Sequence, residues 1–457
     1  MRVGRRVYRY RQGLKALVGT SARRSWAAFA CLAIVGQVTA VFAQGPPEGL
    51  AVSDLLPSLI QEHDRVAAAR AGVEAAEQRA KSAWGGWYPE FEATHSFGRE
   101  KQQKPAADDT NTSFGETNLR LTQLLWDFGA TNAVIEKARL QMEGARIRLL
   151  QARQSVILEG VTAFLNVRRA IEVREFAEQS EANIRRQTGL EEARVEQGAG
   201  LSTDVLQAKT QLAGAQARHI QTEGAVIQAL NRYRAVFGRE PTDIKSLQPV
   251  PLPAGLLPDT LDHAIALALD ANPDIQLARI DAAIADEAIG ETASREFAPT
   301  LQAIGEHNRK RNVAGTIGKQ NESIAKVELR WPFNLGLTAI NTLRASQSDH
   351  VAAARTVQDV GRRVEEATRN AWQQFDTARR TAESLNLQAQ IAEAFLDLAR
   401  QERTLGQRSL IDVLQGETSL INAQSDAASA ETDVRIAAYN LLGVLGQLEP
   451  EVVQGGP

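Results

Sequence analysis

Between about Gly129 and Gln197, and again between about Leu337 and Leu405, apolar residues fall alternately four and three positions apart. Ala138, Met142, Ala145, Leu149, Ala152 and Val156 mark the first run; Ala353, Val357, Val360, Val364, Ala367 and Ala371 mark the second. That spacing predicts α-helices packed as coiled coils through small side chains, hence a sheath of many close helices rather than one broad core. At 1.5 Å per residue each helix approaches roughly 100 Å, farther than a compact domain requires.

A different period precedes each long helix. Phe91, Ala93, His95 and Phe97 alternate with Glu92, Thr94 and Ser96, and Leu119 and Leu121 alternate with Arg120 and Thr122. Leu301 and Ala303 alternate with Thr300 and Gln302, and Ala325, Val327, Leu329 and Trp331 with Lys326, Glu328 and Arg330. These are strands with one apolar and one polar face. Each pair is joined by a polar loop, about Glu100 to Ser113 and about Asn308 to Asn321, and each strand nears the length a membrane strand needs. Trp84, Trp87, Trp126 and Trp331 flank the strand ends, as an aromatic girdle or as anchors between strand and helix.

The pattern is written twice. Gly198, Asp204 and Gln207 return as Gly406, Asp412 and Gln415, all at one offset, while Ala69-Arg70 echoes in Ala278-Arg279 and Tyr88-Pro89 in Ala298-Pro299. Each unit reads as helix, two strands, long helix, tight turn and helix, with first helices over about 50–84 and 259–296, the latter broken at Asn272-Pro273. The predicted organisation is a signal peptide over 1–43, a first repeat over 44–258, a second over 259–446 and a tail over 447–457. Pro241, Pro249, Pro251, Pro253 and Pro258 form the linker.

The first 43 residues carry eight basic side chains, no acid, and an apolar run from Trp26 to Phe42, which predicts secretion and cleavage after about Ala43. An uncleaved anchor ranks second because the run is short and contains Gln37. Removing those eight cations leaves 44 Lys and Arg against 55 Asp and Glu, a formal charge of −11, which argues against nucleic acid as a partner. The single Cys31 leaves with the signal, and six scattered histidines lack metal-ligand spacing, so no metal or cofactor is expected. No apolar stretch beyond residue 43 reaches the length of a membrane helix. Membrane contact must then come from barrel strands. Four strands cannot close a barrel and open edges are not tolerated in lipid, so several chains must share one wall, with Arg120, Lys326, Glu328 and Arg330 facing a wet lumen.

Signal peptide, duplicated units and repeated turn together resemble the TolC family of outer-membrane channels over nearly the whole mature chain. The matching motifs are Leu121-Thr122-Gln123-Leu124-Leu125-Trp126-Asp127-Phe128-Gly129, its counterpart Leu329-Arg330-Trp331-Pro332-Phe333-Asn334-Leu335-Gly336, and the turns around Gly198 and Gly406. The resemblance implies a mainly α fold with a small membrane β-barrel: a homotrimer whose twelve-stranded barrel continues as a helical tunnel across the periplasm. It further implies docking on a periplasmic adaptor and an inner-membrane ABC or RND pump, and export without chemistry. By the same resemblance Asp412 forms an acidic ring at the periplasmic mouth, Gln415 stands where many relatives have a second aspartate, and Asp204 with Arg408 forms the link that closes the mouth. Arg194, Gly198, Leu201, Arg403, Gly406 and Leu410 would meet the adaptor.

Local chemistry offers plainer uses. Gly198 and Gly406 fit helix C-caps, Ser202 and Ser409 fit N-caps, and Asp204 and Asp412 suit the positive helix ends. The docking residues equally suit coiled-coil packing. No Gly-x-Ser-x-Gly, His-Glu-x-x-His or Walker pattern is present, so an enzyme is not expected. A periplasmic coiled-coil scaffold or adaptor competes, and the two-faced strands argue against it. For cargo, the turn from Gly406 to Leu414 followed by Glu417 and Leu420 looks more similar to type I protein secretion members than to multidrug or metal efflux members.

Overall fold

The structure, a computed structural model, describes residues 51–453 apart from 104, 106–108, 200, 242, 245–246 and 334–335. The signal peptide with Cys31, part of the second strand-end motif, and the last residues of the tail lie outside the described residues. The first repeat runs α1 (Val52–Glu62), α2 (Asp64–Ala83), β1 (Glu90–Gln102), β2 (Thr110–Trp126), α3 (Ala130–Glu196) and α4 (Ser202–Phe237). The second runs α5 (Leu261–Ala271), α6 (Pro273–Phe297), β3 (Thr300–Arg311), β4 (Lys319–Arg330), α7 (Thr338–Thr404) and α8 (Leu410–Val444), followed by the short α9 (Pro450–Val453).

Both long helices have 67 residues, contain no proline and end within a residue of the sequence expectation. Their seams agree in part. Val156, Val364 and Ala371 are buried, Ala367 is exposed, and Thr368 rather than Ala367 turns inward. The first helix of the first repeat, expected to be continuous, is broken as its twin is. His63 leaves helical geometry and its Nδ1 accepts the Arg65 N–H at 3.2 Å, as Asn272 accepts the Asp274 N–H at 2.8 Å ahead of the helix that Pro273 begins. Both are side-chain caps.

The strands form one antiparallel sheet in chain order, the two hairpins joined through β2 and β3. The strands run further than expected, leaving loops of 103–109 and 312–318. Helices follow the same row logic. Beside the sheet the order is α2, α3, α6, α7; toward the turns it is α4, α3, α8, α7. The long helices α3 and α7 therefore run through both layers and exchange partners midway.

A belt of apolar packing marks that exchange. Leu56, Ile157, Phe164, Tyr233, Leu441 and Leu445 are fully buried there. The linker and chain end are tied to it: the Tyr439 hydroxyl donates to Pro251 O at 2.9 Å, and Gln154 donates to Gly446 O and Asn272 to Val444 O, each at 2.8 Å. Gly446 has φ +75° and approaches so closely that a Cβ would lie 2.6 Å from Ala271 O, which joins the end of α8 to the break between α5 and α6. Burial raises the Tyr439 hydroxyl pKa to about 12.

Candidate functional site

The two turns that close the helical end share one geometry. Gly198 (φ +80°) and Gly406 (φ +76°) end α3 and α7 in the left-handed region. In each turn the next residue's N–H reaches five positions back, Ala199 to Arg194 O and Gln407 to Glu402 O, both at 2.9 Å. This is the Schellman arrangement, so the C-cap reading holds for both glycines. The N-cap reading holds only for Ser409, whose Oγ accepts the Asp412 N–H at 3.2 Å. Leu201, not Ser202, occupies the equivalent N-cap, the third residue after the glycine, and it makes no side-chain cap. At their described positions the two turns match in backbone, and they have exchanged leucine and serine in sequence.

Charge at this end is arranged within the protomer. The Arg403 guanidinium lies 2.7 Å from Glu191, joining α7 to α3, and Glu191 is only 4% exposed. Arg194 lies 3.7 Å from the same carboxylate. Arg408 lies 2.6 Å from Glu402 and 5.2 Å above the Phe395 ring. Among the described residues no ion pair joins Arg408 to Asp204 within the protomer. Arg400 pairs with the buried Glu417, and Arg185 and His219 both engage Glu181. Sequence inspection picked out Glu417 only as part of the second turn's motif and found none of these pairings; the available signal was Glu at positions where the helix faces its neighbour.

Of the residues expected to meet an adaptor, Leu201 and Gly406 are exposed, as is the neighbouring Leu405. Leu410 is not: at 3% exposure it packs with Ile184, Ala208 and Leu414. Its place in the first turn of α8 points it into the joint between helices, so the docking expectation for it is corrected. Arg403 is likewise engaged by Glu191 rather than free. Asp204 and Asp412 are half-buried and Gln415 is exposed.

At the other end the register separates the sheet faces. Arg120 stands opposite Glu306, Lys326 opposite Ile304, Glu328 opposite Gln302 and Arg330 opposite Thr300, all on one face. Lys326 lies 2.9 Å from Glu328, and Arg120 lies 3.7 Å from Glu306. The opposite face carries Phe91, Leu121, Val327 and Leu329, all exposed. The joint to α3 is set by Asp127, whose carboxylate accepts the Gly129 N–H at 3.1 Å and the Thr131 N–H at 2.6 Å. Phe128 and Gly129 there have positive φ. Two tryptophans serve as anchors: Trp87 donates to Asn132 at 3.1 Å and Trp331 to Phe297 O at 3.0 Å, while the Trp84, Trp126 and Trp331 rings are exposed.

A sheet with one apolar face, seated on a sheath of long helices, is the build of an outer-membrane channel protomer. The family profile described as outer membrane efflux protein matches residues 55–239 and 264–447, one stretch in each repeat, and the chain belongs to that family. It is 27% identical over 382 residues to outer membrane efflux protein BepC of Brucella suis, covering 83% of this chain and 81% of that one. It is 24% identical over 363 residues to outer membrane protein TolC of Escherichia coli, covering 76% and 72%. The outer-membrane channel OprN superposes with a TM-score of 0.75 at 22% identity, over 87% of this chain and 90% of that chain. VceC of Vibrio cholerae superposes with a TM-score of 0.73 at 17% identity, over 86% and 96%. At these structural identities the likeness establishes the fold.

Proposed function

We propose that three copies of this chain close a twelve-stranded barrel and a helical tunnel, the exit duct of a tripartite export system serving type I protein secretion. The observation that carries the assembly is the pattern on the protomer's edges. On α4, Leu206, Ala213, Ile220 and Ile227 are exposed at intervals of seven; on α7 and its cap, Ile391, Leu398 and Leu405 are too. These are coiled-coil seams without a partner, on the two helices that end the row. The sheet likewise ends on β1 and β4, whose outer backbone groups need neighbours in lipid. Three protomers supply both, α4 of one lying against α7 of the next. Light scattering of the detergent-extracted protein tests this: three chains per particle are expected, and one chain would sink the shared barrel.

In such a trimer the Asp412 carboxylates form a ring at the periplasmic mouth, with Gln415 one turn further along the helix, and attract cations. Asp412→Asn should weaken block by divalent cations in bilayer recordings, and equal block in both proteins would remove the ring. The closed mouth would exchange the Glu402 partner of Arg408 for Asp204, a charge-assisted bond. Arg408→Ala with Asp204→Ala should then raise single-channel conductance; unchanged conductance counts against the link. The periplasmic adaptor would read the exposed tip formed by Arg194, Gly198, Leu201 and Gly406, beneath an inner-membrane ABC or RND pump.

Protein cargo rests on the second turn alone, since Glu417 and Leu420, which follow it, are engaged in packing with Arg400 and with Leu396 and Val413. The second reading, a duct for multidrug or metal efflux, is favoured by the efflux description of the matched family. Deleting the gene decides between them. Lost secretion with normal toxin tolerance supports the first; intact secretion with lost tolerance supports the second.

A further inference from the structure

The two faces of the sheet differ in more than hydropathy. Each of the sheet's ion pairs lies on the inner face, where Arg120 meets Glu306, Lys310 meets Glu116 and Glu322, and Lys326 meets Glu328. On the outer face the charged residues of the four strands are Arg99, Lys101, Arg309, Arg311 and Lys319, five cations and no acid. All five are exposed, whereas the inward neighbours Glu100 and Lys310 are half-buried. They also cluster. Each lies within four residues of a hairpin tip, on the side of the sheet away from the helices, and the loop 312–318 beside them carries no charge. Arg99 uses its Nε on Asn111 at 2.9 Å, and among the described residues its guanidinium makes no ion pair. On the same face Phe97 is level with Arg311 and Lys319, and below the cations, past a row of His95, Thr117 and Asn321, come Leu119, then Phe91 and Leu121, then Val327, the apolar band.

We infer that this collar binds the phosphate-bearing headgroups of lipids in the far leaflet of the membrane. An occupant must place anionic groups at the hairpin tips and apolar chains along the band beneath them, which is the layout of a phosphorylated lipid standing in the leaflet. Three of the five cations are arginines, whose planar fork matches phosphate oxygens. Within the strands no acid lies on this face; in sequence the loop 103–109 of the first hairpin adds Lys104 with Asp108 and Asp109, so the field is least opposed around Arg309, Arg311 and Lys319, and three protomers would carry fifteen strand cations around the barrel. The inference rests on the barrel reading, because that reading makes the apolar face the outer one.

The test titrates the full-length mature protein, purified in neutral detergent, with diphosphoryl lipid A, with the same lipid fully dephosphorylated, and with inorganic phosphate as competitor, counting bound lipid by native mass spectrometry. Salt-sensitive binding of the diphosphorylated lipid is expected, weakened roughly thirtyfold by Arg309→Gln with Arg311→Gln at about 1 kcal/mol for each cation near an anionic surface. Lys310→Gln, between them but facing inward, should leave binding unchanged. Arg99→Gln with Lys101→Gln on the other hairpin gives the same reading if the first pair does not assemble. Equal binding of the dephosphorylated lipid, equal loss in Lys310→Gln, or displacement by inorganic phosphate at the lipid's own concentration would each overturn the collar while leaving the barrel. Binding of neither lipid would overturn the collar, and the count of chains in the same mass spectrum judges the barrel separately.

Discussion

The inner and edge helices of the turn-side layer obey opposite rules. α3 and α8 bury twenty and sixteen residues, and among them are the carboxylates Glu181, Glu191 and Glu417. α4 and α7 bury four and seven, and leave Leu206, Ile220, Ile391 and Leu398 in the open. Within one protomer, three carboxylates lie inside while these four apolar side chains lie outside. In the proposed trimer the difference is what a stave of a larger wall requires: the inner helices would already be at their final neighbours, their carboxylates met by arginines, whereas the edge helices would be completed by another copy.

Placing a charge on the edge should break the comparison most severely. Ile220→Asp or Leu398→Asp would set three carboxylates into the seams of a trimer, and loss of the trimer peak on size exclusion with the helical circular dichroism retained is expected. An unchanged trimer would mean that these residues face solvent in the assembly. The inner rule is probed next. Arg403→Ala leaves Glu191 buried with only the longer Arg194 contact and should lower stability by about 3 kcal/mol, read as a fall in the unfolding midpoint. Arg403→Met with Glu191→Leu should restore most of it, since a packed apolar pair replaces the ions; a double variant no better than the single one would show that the charges act separately.

A smaller effect compares the two turns. Gly198→Ala and Gly406→Ala both force a side chain into the left-handed region with open space around it, so each should cost about 1 to 2 kcal/mol, equally. Unequal losses in hydrogen exchange at the tips would show that one turn is supported by more than its own backbone. Smallest is Tyr439→Phe, which removes the bond to Pro251 for about 1 kcal/mol. With its pKa raised to about 12 against about 10 unfolded, the folded protein keeps a proton that the unfolded chain loses. That contribution is full below about pH 10 and vanishes as pH rises through about 12, so the gap between wild type and Tyr439→Phe should close across this window.

Periodicity carried the long helices because 67 residues of alternating spacing leave little freedom in where they end, and the left-handed caps at Gly198 and Gly406 are chemically specific. The two-faced strands were legible for the same reason. The break at His63 was not, since no proline marks it and histidine is an unusual cap. Ser202 and Ser409 looked alike in sequence, yet one position separates capping from the first helical turn. Partners were the least legible. Which acid an arginine meets depends on how helices are rotated about their axes, and Arg408 turns toward Glu402 of its own turn while Arg403 reaches across to Glu191.

The unbroken passage of α3 and α7 through both layers also sets how such a protein can change in length. An insertion shorter than a heptad in either would rotate every residue beyond it out of its seam, and one confined to a single helix would push the turns out of level. Growth is therefore restricted to steps that return the seam to its face, about seven or eleven residues, about 10.5 or 16.5 Å, made together in α3, α4, α7 and α8. Reach is inherited in whole units, like courses of brick, and a lineage that needed a slightly longer duct would have to add a full course all the way round.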